Sequence, residues 1–460
     1  MSAFLVEALA SKTGTPESGL RLILGQLAGY PIFLIHRNYF KKSSEWTQHL
    51  FFLTTGMFMS WWAIGEEALM HSCICVIATY LILRSLGGNF TAAMICFILN
   101  LSYLFIGYIC NASRDYDITW TMPQCVICLR LIGLAMDVYD GTKKEEELSR
   151  DQKAGRLTEV PSLVECLSHS FFIGGYFVGP QFSMRKFKNY IEVNRTQDLP
   201  SPVAFGFKRL AIGWVYMIGH LIGSTFVPEA WVQTENFGQM NFLARTFWFS
   251  LWAKIILSKY IAAWLFAEGS CIISGIAYNG VDEATGEVKW NGMANVKLRV
   301  YEGAHKFQHL IDSFNINTNG WAASYIYKRL RFLNNKLYSQ LGTLLFLAVW
   351  HGYHSGYFLT FANELLVMQV EKEFVAVWTK SPKAQALHEH PLGNIFCKVV
   401  GYLYVVTLLP HCFLPFPLLK FDKYWGPLWE TRFIMYIIFG SWFLVRQPVK
   451  SFLLPPKKQD

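Results

Sequence analysis

Two histidines sit in a run otherwise suited to hydrocarbon: Val349, Trp350, His351, Gly352, Tyr353, His354, Ser355, Gly356, Tyr357, Phe358. Residues 341–363 make 23 positions without a formal charge, and His351 is the eleventh of them. At about 1.5 Å of rise per residue, a continuous helix over this run would hold His351 near the middle of a bilayer. An imidazole there needs a hydrogen-bond partner or a wet cavity, and ionisable groups at that depth are functional by default. Helical spacing predicts His351, His354, Ser355 and Phe358 on one face. The small residues Gly352, Ser355 and Gly356 would admit a neighbouring helix or a substrate chain.

Several chemistries fit these residues. His351 can join helices through a hydrogen bond, or share a metal with His354, although the run offers no Asp, Glu or Cys as a further ligand. It can also serve as a general base, because an apolar setting disfavours imidazolium and leaves the neutral ring that a base requires. A base at His351 could in turn activate Ser355, one turn on, as a nucleophile. A second polar cluster lies upstream: Asn315, Asn317, Thr318 and Asn319 precede Trp321, and Tyr325, Tyr327, Lys328, Arg329 and Arg331 follow. Asn and Thr are ordinary turn residues. The cations can neutralise the phosphates of a ligand arriving from the cytosolic side. Arg185, Lys186 and Lys188 offer the same charge, with juxtamembrane anchoring as the alternative. Trp321, Tyr325, Trp350 and Tyr357 read either as the wall of a chamber or as helix packing.

The elements that must position these residues are membrane helices. Of 460 residues, 53% are hydrophobic, 16% aromatic and 16% charged; soluble domains carry about 25% charged residues. Apolar stretches at 20–35, 47–64, 68–86, 90–110, 121–136, 210–227, 242–267, 272–278, 341–363, 394–416 and 433–445 predict an all-α, polytopic protein of about nine to eleven membrane helices. One membrane-embedded domain is expected over 1–460. It divides into N-terminal helices at about 20–140, a charged connection at 141–160, a core at 161–370, C-terminal helices at 394–446 and a cytosolic tail at 447–460. The connection, with charges of both signs, reads as a solvated helix. Residues 1–19 lack an apolar signal core, so the first span is expected to direct insertion.

The net charge of +9 gathers in short basic clusters beside the spans, which marks cytosolic loops rather than nucleic-acid binding. The ten cysteines fall mostly in apolar segments, and the Cys125–Cys128 pair reads as packing, with no metal expected. Of the sequons at Asn89, Asn111 and Asn194, Asn111 is the most plausible acceptor, and only on a lumenal face. Lys457 and Lys458 stand third and fourth from the final Asp460, counted inclusively. This dilysine pattern resembles an endoplasmic reticulum retrieval address on a cytosolic C-terminus.

With these features placed, "VWHGYHSGYF" and the asparagine in "FNINTNGW", 36 residues before His351, resemble the membrane-bound O-acyltransferase family. The segments "GGYFVGPQFSMRKFKNY" and "WNGMANVKLRVYEG" are similar to its lysophospholipid acyltransferase branch. The resemblance implies His351 and Asn315 as the catalytic pair, in a reaction chamber inside the membrane. It implies acyl transfer from acyl-CoA to the sn-2 hydroxyl of a lysophospholipid: lysophosphatidylcholine, with the ethanolamine and serine species, and polyunsaturated chains preferred. Substrate contacts would come from Trp321, Tyr325, Trp350, His354, Ser355, Lys328, Arg329, Arg331, Arg185 and Lys186. No cofactor is expected, acyl-CoA being a co-substrate. The expected partners are acyl-CoA, a lysophospholipid, the membrane and, as an open option, a second copy of the chain. Other acceptors (lysophosphatidylinositol, a sterol, diacylglycerol or a secreted peptide) would suit the same pair, and a transporter would use the histidine as a proton relay. The HxxxxD and DHHC patterns of other acyltransferases are absent from the chain.

Overall fold

Polar residues at the edges of the apolar runs set where the helices start. Ser44 accepts the Thr47 N–H at 3.2 Å and opens the helix Glu45–Ala63; Asn89 accepts the Ala92 N–H at 2.8 Å and opens Phe90–Cys110. A computed structural model describes residues 3–13, 15–112 and 118–454. Lys457 and Lys458 lie outside the described residues. Among those described there are helices and two isolated bridges, Val281 with Val288 and Val296 with Phe314, and no extended strand.

Among the described residues seven helices are long and apolar enough to cross a membrane: Glu17–Phe40, Glu66–Leu86, Phe90–Cys110, Thr121–Gly141, Val203–Gln233, Phe242–Ser274 and Pro391–Leu418. An eighth arises if Phe421–Glu430 and Ile434–Leu453, bent by 70° to each other, count as one span. The chain is therefore an all-α, multi-pass membrane protein. Three of the eleven apolar stretches account for the difference from the expected nine to eleven. Residues 47–64 form a helix that Gln48 and His49 help make too polar, 272–274 finish the long helix Phe242–Ser274 with 275–278 outside it, and 341–363 are broken in the middle. Outward-facing Ile98, Ile106 and Ile109 on Phe90–Cys110 are more than half exposed, a face suited to lipid rather than water.

The chain divides into two units. The first comprises Met1–Met217, Tyr260–Asn295 and Asn317–Ser339. Its centre is Thr121–Gly141, 89% buried where the spans Glu66–Leu86 and Phe90–Cys110 are 28% buried. Phe33, Phe52, Phe171, Phe172 and Phe187 build its aromatic core, with Phe33 and Phe172 stacked at 5.0 Å. The charged connection is mostly exposed but is not one continuous helix. It forms a single turn at Glu145–Glu147 and a short helix, Arg150–Gly155, capped by Ser149 and Gln152. Gln152 donates to Asp140 at 2.9 Å and the Leu157 N–H to the Asp137 carbonyl at 2.9 Å, so the connection folds onto the end of the central helix.

The second unit comprises Ile218–Lys259, Val296–Ile316 and Gln340–Asp460. Val367 and Val370 of the helix Ser355–Trp378 pack with Phe307, Val405, Leu408, Met435 and Phe439 in its core.

Candidate active site

His351 is the last residue of the helix Lys336–His351, and the next helix, Ser355–Trp378, starts four residues on. The predicted continuous helix over 341–363 is thus corrected. Gly352 has φ +141°, a conformation that a side chain disfavours, and the chain turns there. The shared face of His351, His354, Ser355 and Phe358 does not form. Ser355 instead accepts the Tyr424 hydroxyl at 3.0 Å, and His354 packs its ring 4.4 Å from Tyr353.

The break leaves the His351 ring among aromatic neighbours: Trp350 at 4.5 Å, Phe416 at 5.1 Å, Tyr357 at 5.4 Å and Phe361 at 5.6 Å between centroids. It is half-buried, and among the described residues no group of the protein hydrogen-bonds to it. Both ring nitrogens could thereby take a further hydrogen bond. Phe416 is held in place by backbone contact, since the Gly356 N–H donates to the Leu419 carbonyl at 2.8 Å. A Cβ on Gly356 would lie 2.1 Å from the Pro415 oxygen. Among the described residues no group of three or more His, Cys, Asp or Glu side chains is placed to hold a metal.

Asn315 belongs to the same unit as His351. Its φ is +53°, the left-handed region that asparagine enters more readily than most residues. The residues before it hold the chain there. Phe314 bridges to Val296 and stacks on Tyr301 at 5.5 Å, and the Lys297 N–H donates to the Ser313 carbonyl at 2.9 Å. Strained non-glycine residues persist where the surroundings over-determine them, often at functional sites.

The aromatic and basic candidates belong mostly to the first unit. Trp321, Tyr325 and Arg329 line a cavity of about 300 Å³ with Arg130, Asp137 and Asp140. The Tyr325 hydroxyl donates to both Asp137 oxygens, at 2.9 and 3.0 Å, and Arg329 grips Asp140 with two hydrogen bonds of 3.1 and 2.5 Å. Burial, with Asp137 beside it, pushes the Tyr325 phenol well above its usual range. Lys328 pairs with Asp151, and that bond holds the Asp151 carboxyl below the usual carboxylate range. Arg185 donates to the Arg156 carbonyl at 3.1 and 2.7 Å, and the Lys186 ammonium to the Gly292 carbonyl at 2.7 Å. These cations are already engaged within the fold, whereas Arg331 is exposed.

Arg130, Asp137 and Asp140 went unread in the sequence. Arg130 is 2% exposed; it donates to the carbonyls of His169, Ser170 and Gly175 at 2.9, 3.0 and 2.6 Å, with its guanidinium 4.4 Å above the Phe182 ring. The available signal was an arginine inside the apolar run 121–136, with carboxylates seven and ten residues later on the same helix.

The profile of the membrane-bound O-acyltransferase family (MBOAT) matches residues 105–413, which include Asn315 and His351. The chain is 36% identical over 458 residues to lysophospholipid acyltransferase 5 of Bos taurus, covering 98% of this chain and 93% of that one. It is 39% identical over 452 residues to the Drosophila melanogaster protein of that name, covering 96% and 88%, and 36% identical over 454 residues to the Homo sapiens one, covering 98% and 93%. The chain is an acyltransferase and belongs to the membrane-bound O-acyltransferase family.

Proposed function

We propose that the chain transfers an acyl group from acyl-CoA to the free sn-2 hydroxyl of a lysophospholipid, with His351 as general base. The observation that carries this reading is the half-buried His351 ring, placed at a helix break among Trp350, Tyr357, Phe361 and Phe416 with no protein partner for its nitrogens among the described residues.

A lipid hydroxyl is a poor nucleophile until a base accepts its proton. His351 takes that proton as the oxygen attacks the thioester carbonyl, forming the new C–O bond. The carbonyl oxygen gathers negative charge, and the Asn315 amide donates a hydrogen bond to it or orients the thioester. The intermediate collapses by breaking the C–S bond. The CoA thiolate leaves and recovers the proton from the His351 imidazolium, so the base is regenerated. An aromatic surround excludes water that would otherwise hydrolyse the thioester. Both acyl-bearing substrates are membrane-soluble, which favours a reaction chamber at bilayer depth.

The finer part of the reading rests on the likeness of residues 174–190 and 290–303 to the lysophospholipid branch and on the names of the relatives. Lysophosphatidylcholine is the first acceptor, with the ethanolamine and serine species, and polyunsaturated acyl-CoA is the preferred donor. The site of action is the endoplasmic reticulum membrane, with the segment after the last helix cytosolic, as the basic residues Arg446 and Lys450 support.

The test is acyl transfer by detergent-solubilised protein from labelled arachidonoyl-CoA to lysophosphatidylcholine, lysophosphatidylinositol, cholesterol and diacylglycerol, each beside His351→Ala. Phosphatidylcholine formed by the native chain and lost with His351→Ala supports the reading. Product with another acceptor alone overturns the acceptor, and product undiminished in His351→Ala overturns the base.

A further inference from the structure

Glu371 lies on the helix Ser355–Trp378, the helix that follows the break at His351. It is 7% exposed, on the helix whose Val367 and Val370 pack with Phe307, Val405 and Phe439. A buried carboxylate is costly unless hydrogen bonds replace its water. Here three donors do so: the Phe307 N–H at 2.8 Å, the Gln308 N–H at 2.9 Å and the Tyr404 hydroxyl at 3.3 Å. The two backbone donors open the helix Phe307–Ser313, which leads directly into Phe314 and Asn315.

The far end of that segment is fixed separately. The Lys297 N–H donates to the Ser313 carbonyl, Val296 bridges to Phe314, and Tyr301 stacks on Phe314. Tyr301 is itself backed by Lys254, 4.7 Å from its ring centre, and Lys254 pairs with Glu302. Seven residues held at both ends leave little freedom for the strained backbone of Asn315 that follows.

We propose that Glu371 is a positioning residue for acyl transfer: from the helix that follows His351, its carboxylate fixes the segment that presents Asn315. The proposal rests on the reading of Asn315 as a group that acts on the reacting thioester. Glu371 touches no substrate in it and acts through Asn315 alone. Nothing in the sequence singles it out, because Glu364, Glu371 and Glu373 all lie on this helix.

The experiment is a double-mutant cycle on the full chain in detergent: native, Glu371→Gln, Asn315→Ala and the double variant. Steady-state kcat and KM are measured for arachidonoyl-CoA and lysophosphatidylcholine. Glu371→Gln keeps the shape but turns an amide NH₂ toward one of the two backbone N–H groups. The expected result is a kcat lowered about 10-fold, the size of one lost charge-assisted hydrogen bond, with both KM values held within about 2-fold. In the Asn315→Ala background the same substitution should lower kcat by less than about 2-fold. Glu373→Gln is the control on the same helix, where the carboxylate accepts from the Trp442 indole at 3.0 Å; it should leave kcat unchanged.

Equal losses in both backgrounds overturn the proposal, since Glu371 would then act on the fold at large. An unaltered kcat in Glu371→Gln also overturns it. If Glu371→Gln does not fold, Glu371→Asp, which keeps the charge on a shorter stem, is read in the same cycle. If Asn315→Ala alone retains the native kcat, the reading of Asn315 fails first, and that failure is visible without any Glu371 variant.

Discussion

Tyr424 donates its hydroxyl to Ser355 at 3.0 Å, at the first residue of the helix that restarts after the break beyond His351. The serine is therefore tied to an aromatic side chain of the helix Phe421–Glu430, and the turn at Gly352 removes the one-turn spacing that would have set it under His351. Ser355→Ala should lose one partly exposed hydrogen bond and keep acyl-transfer activity within about 3-fold of the native rate. A nucleophilic serine would instead lose activity by about 10⁴-fold or more. Initial rates settle this, with intact mass of the protein after mixing with acyl-CoA as a second check; no covalent acyl-protein should accumulate.

The Gly356 substitution probes the wall of the same site. An added Cβ would lie 2.1 Å from the Pro415 oxygen and 2.7 Å from the Leu419 oxygen, both backbone atoms that cannot rotate away. The segment Pro415–Leu418 must shift, and it carries Phe416, which rests 5.1 Å from His351. Gly356→Ala is expected to destabilise by about 1–3 kcal/mol, the usual cost of overpacking. The kcat should fall by at least about 10-fold while the KM for acyl-CoA moves little. Thermal denaturation in detergent and steady-state kinetics on the folded fraction separate the two effects. Native kcat would show that Phe416 does not shape the site.

How far the sequence spoke depended on what each signal measures. Apolar runs reported the spanning helices well, because length and apolarity are all a bilayer asks of them. They misled at residues 341–363, where composition stayed apolar through a turn set by Gly352, and composition carries no information on φ. His351 was legible because a polar ring stands out against apolar neighbours. Asn315 drew attention only as one of several turn-forming residues until the family resemblance singled it out; its left-handed backbone becomes visible once Phe314 is seen to pair with Val296. Arg130 was hidden for the opposite reason. One cation among apolar residues barely changes a hydropathy average, and its three partners are carbonyls at positions 169, 170 and 175, which no local pattern points to.

The two ion pairs near the cavity should differ sharply in worth. Asp140 has a fully buried side chain and Arg329 is 19% exposed, whereas Lys328 and Asp151 are 37% and 42% exposed. Removing one partner of a buried pair strands the other charge and costs about 3 kcal/mol or more, while an exposed pair contributes under about 1 kcal/mol. Asp140→Ala should therefore lower thermal stability far more than Asp151→Ala. The sign with pH also follows. Lys328 depresses the Asp151 carboxyl, so its contribution is fully present above the unfolded carboxylate value near ~3.9 and is lost as pH falls through the lower folded value. Between pH 7 and pH 5 the difference between native protein and Asp151→Ala should stay constant, and it should shrink only below the unfolded carboxylate value; no difference at any pH would show that the pair does not form in the detergent-solubilised protein.

Arg130 gives the most demanding prediction, because charge alone does not explain it. Its guanidinium spreads hydrogen bonds over three carbonyls while its plane covers Phe182, a geometry that needs the planar fork. A lysine keeps the charge, but its single ammonium, on a flexible stem, cannot span the carbonyls of His169 and Gly175 together. The Nη2 to Gly175 bond matters most for the local shape, since a Cβ on Gly175 would already lie 2.4 Å from that nitrogen. Arg130→Lys should thus leave at least one buried carbonyl without a donor and cost about 2–3 kcal/mol. Arg130→Met strands more carbonyls but removes the buried charge, and replacing buried charges by apolar side chains can recover stability. The expected order of melting temperature is native first and both variants well below it, with Arg130→Lys no better than Arg130→Met. A lysine variant that melted with the native protein would show that position 130 needs only a positive charge.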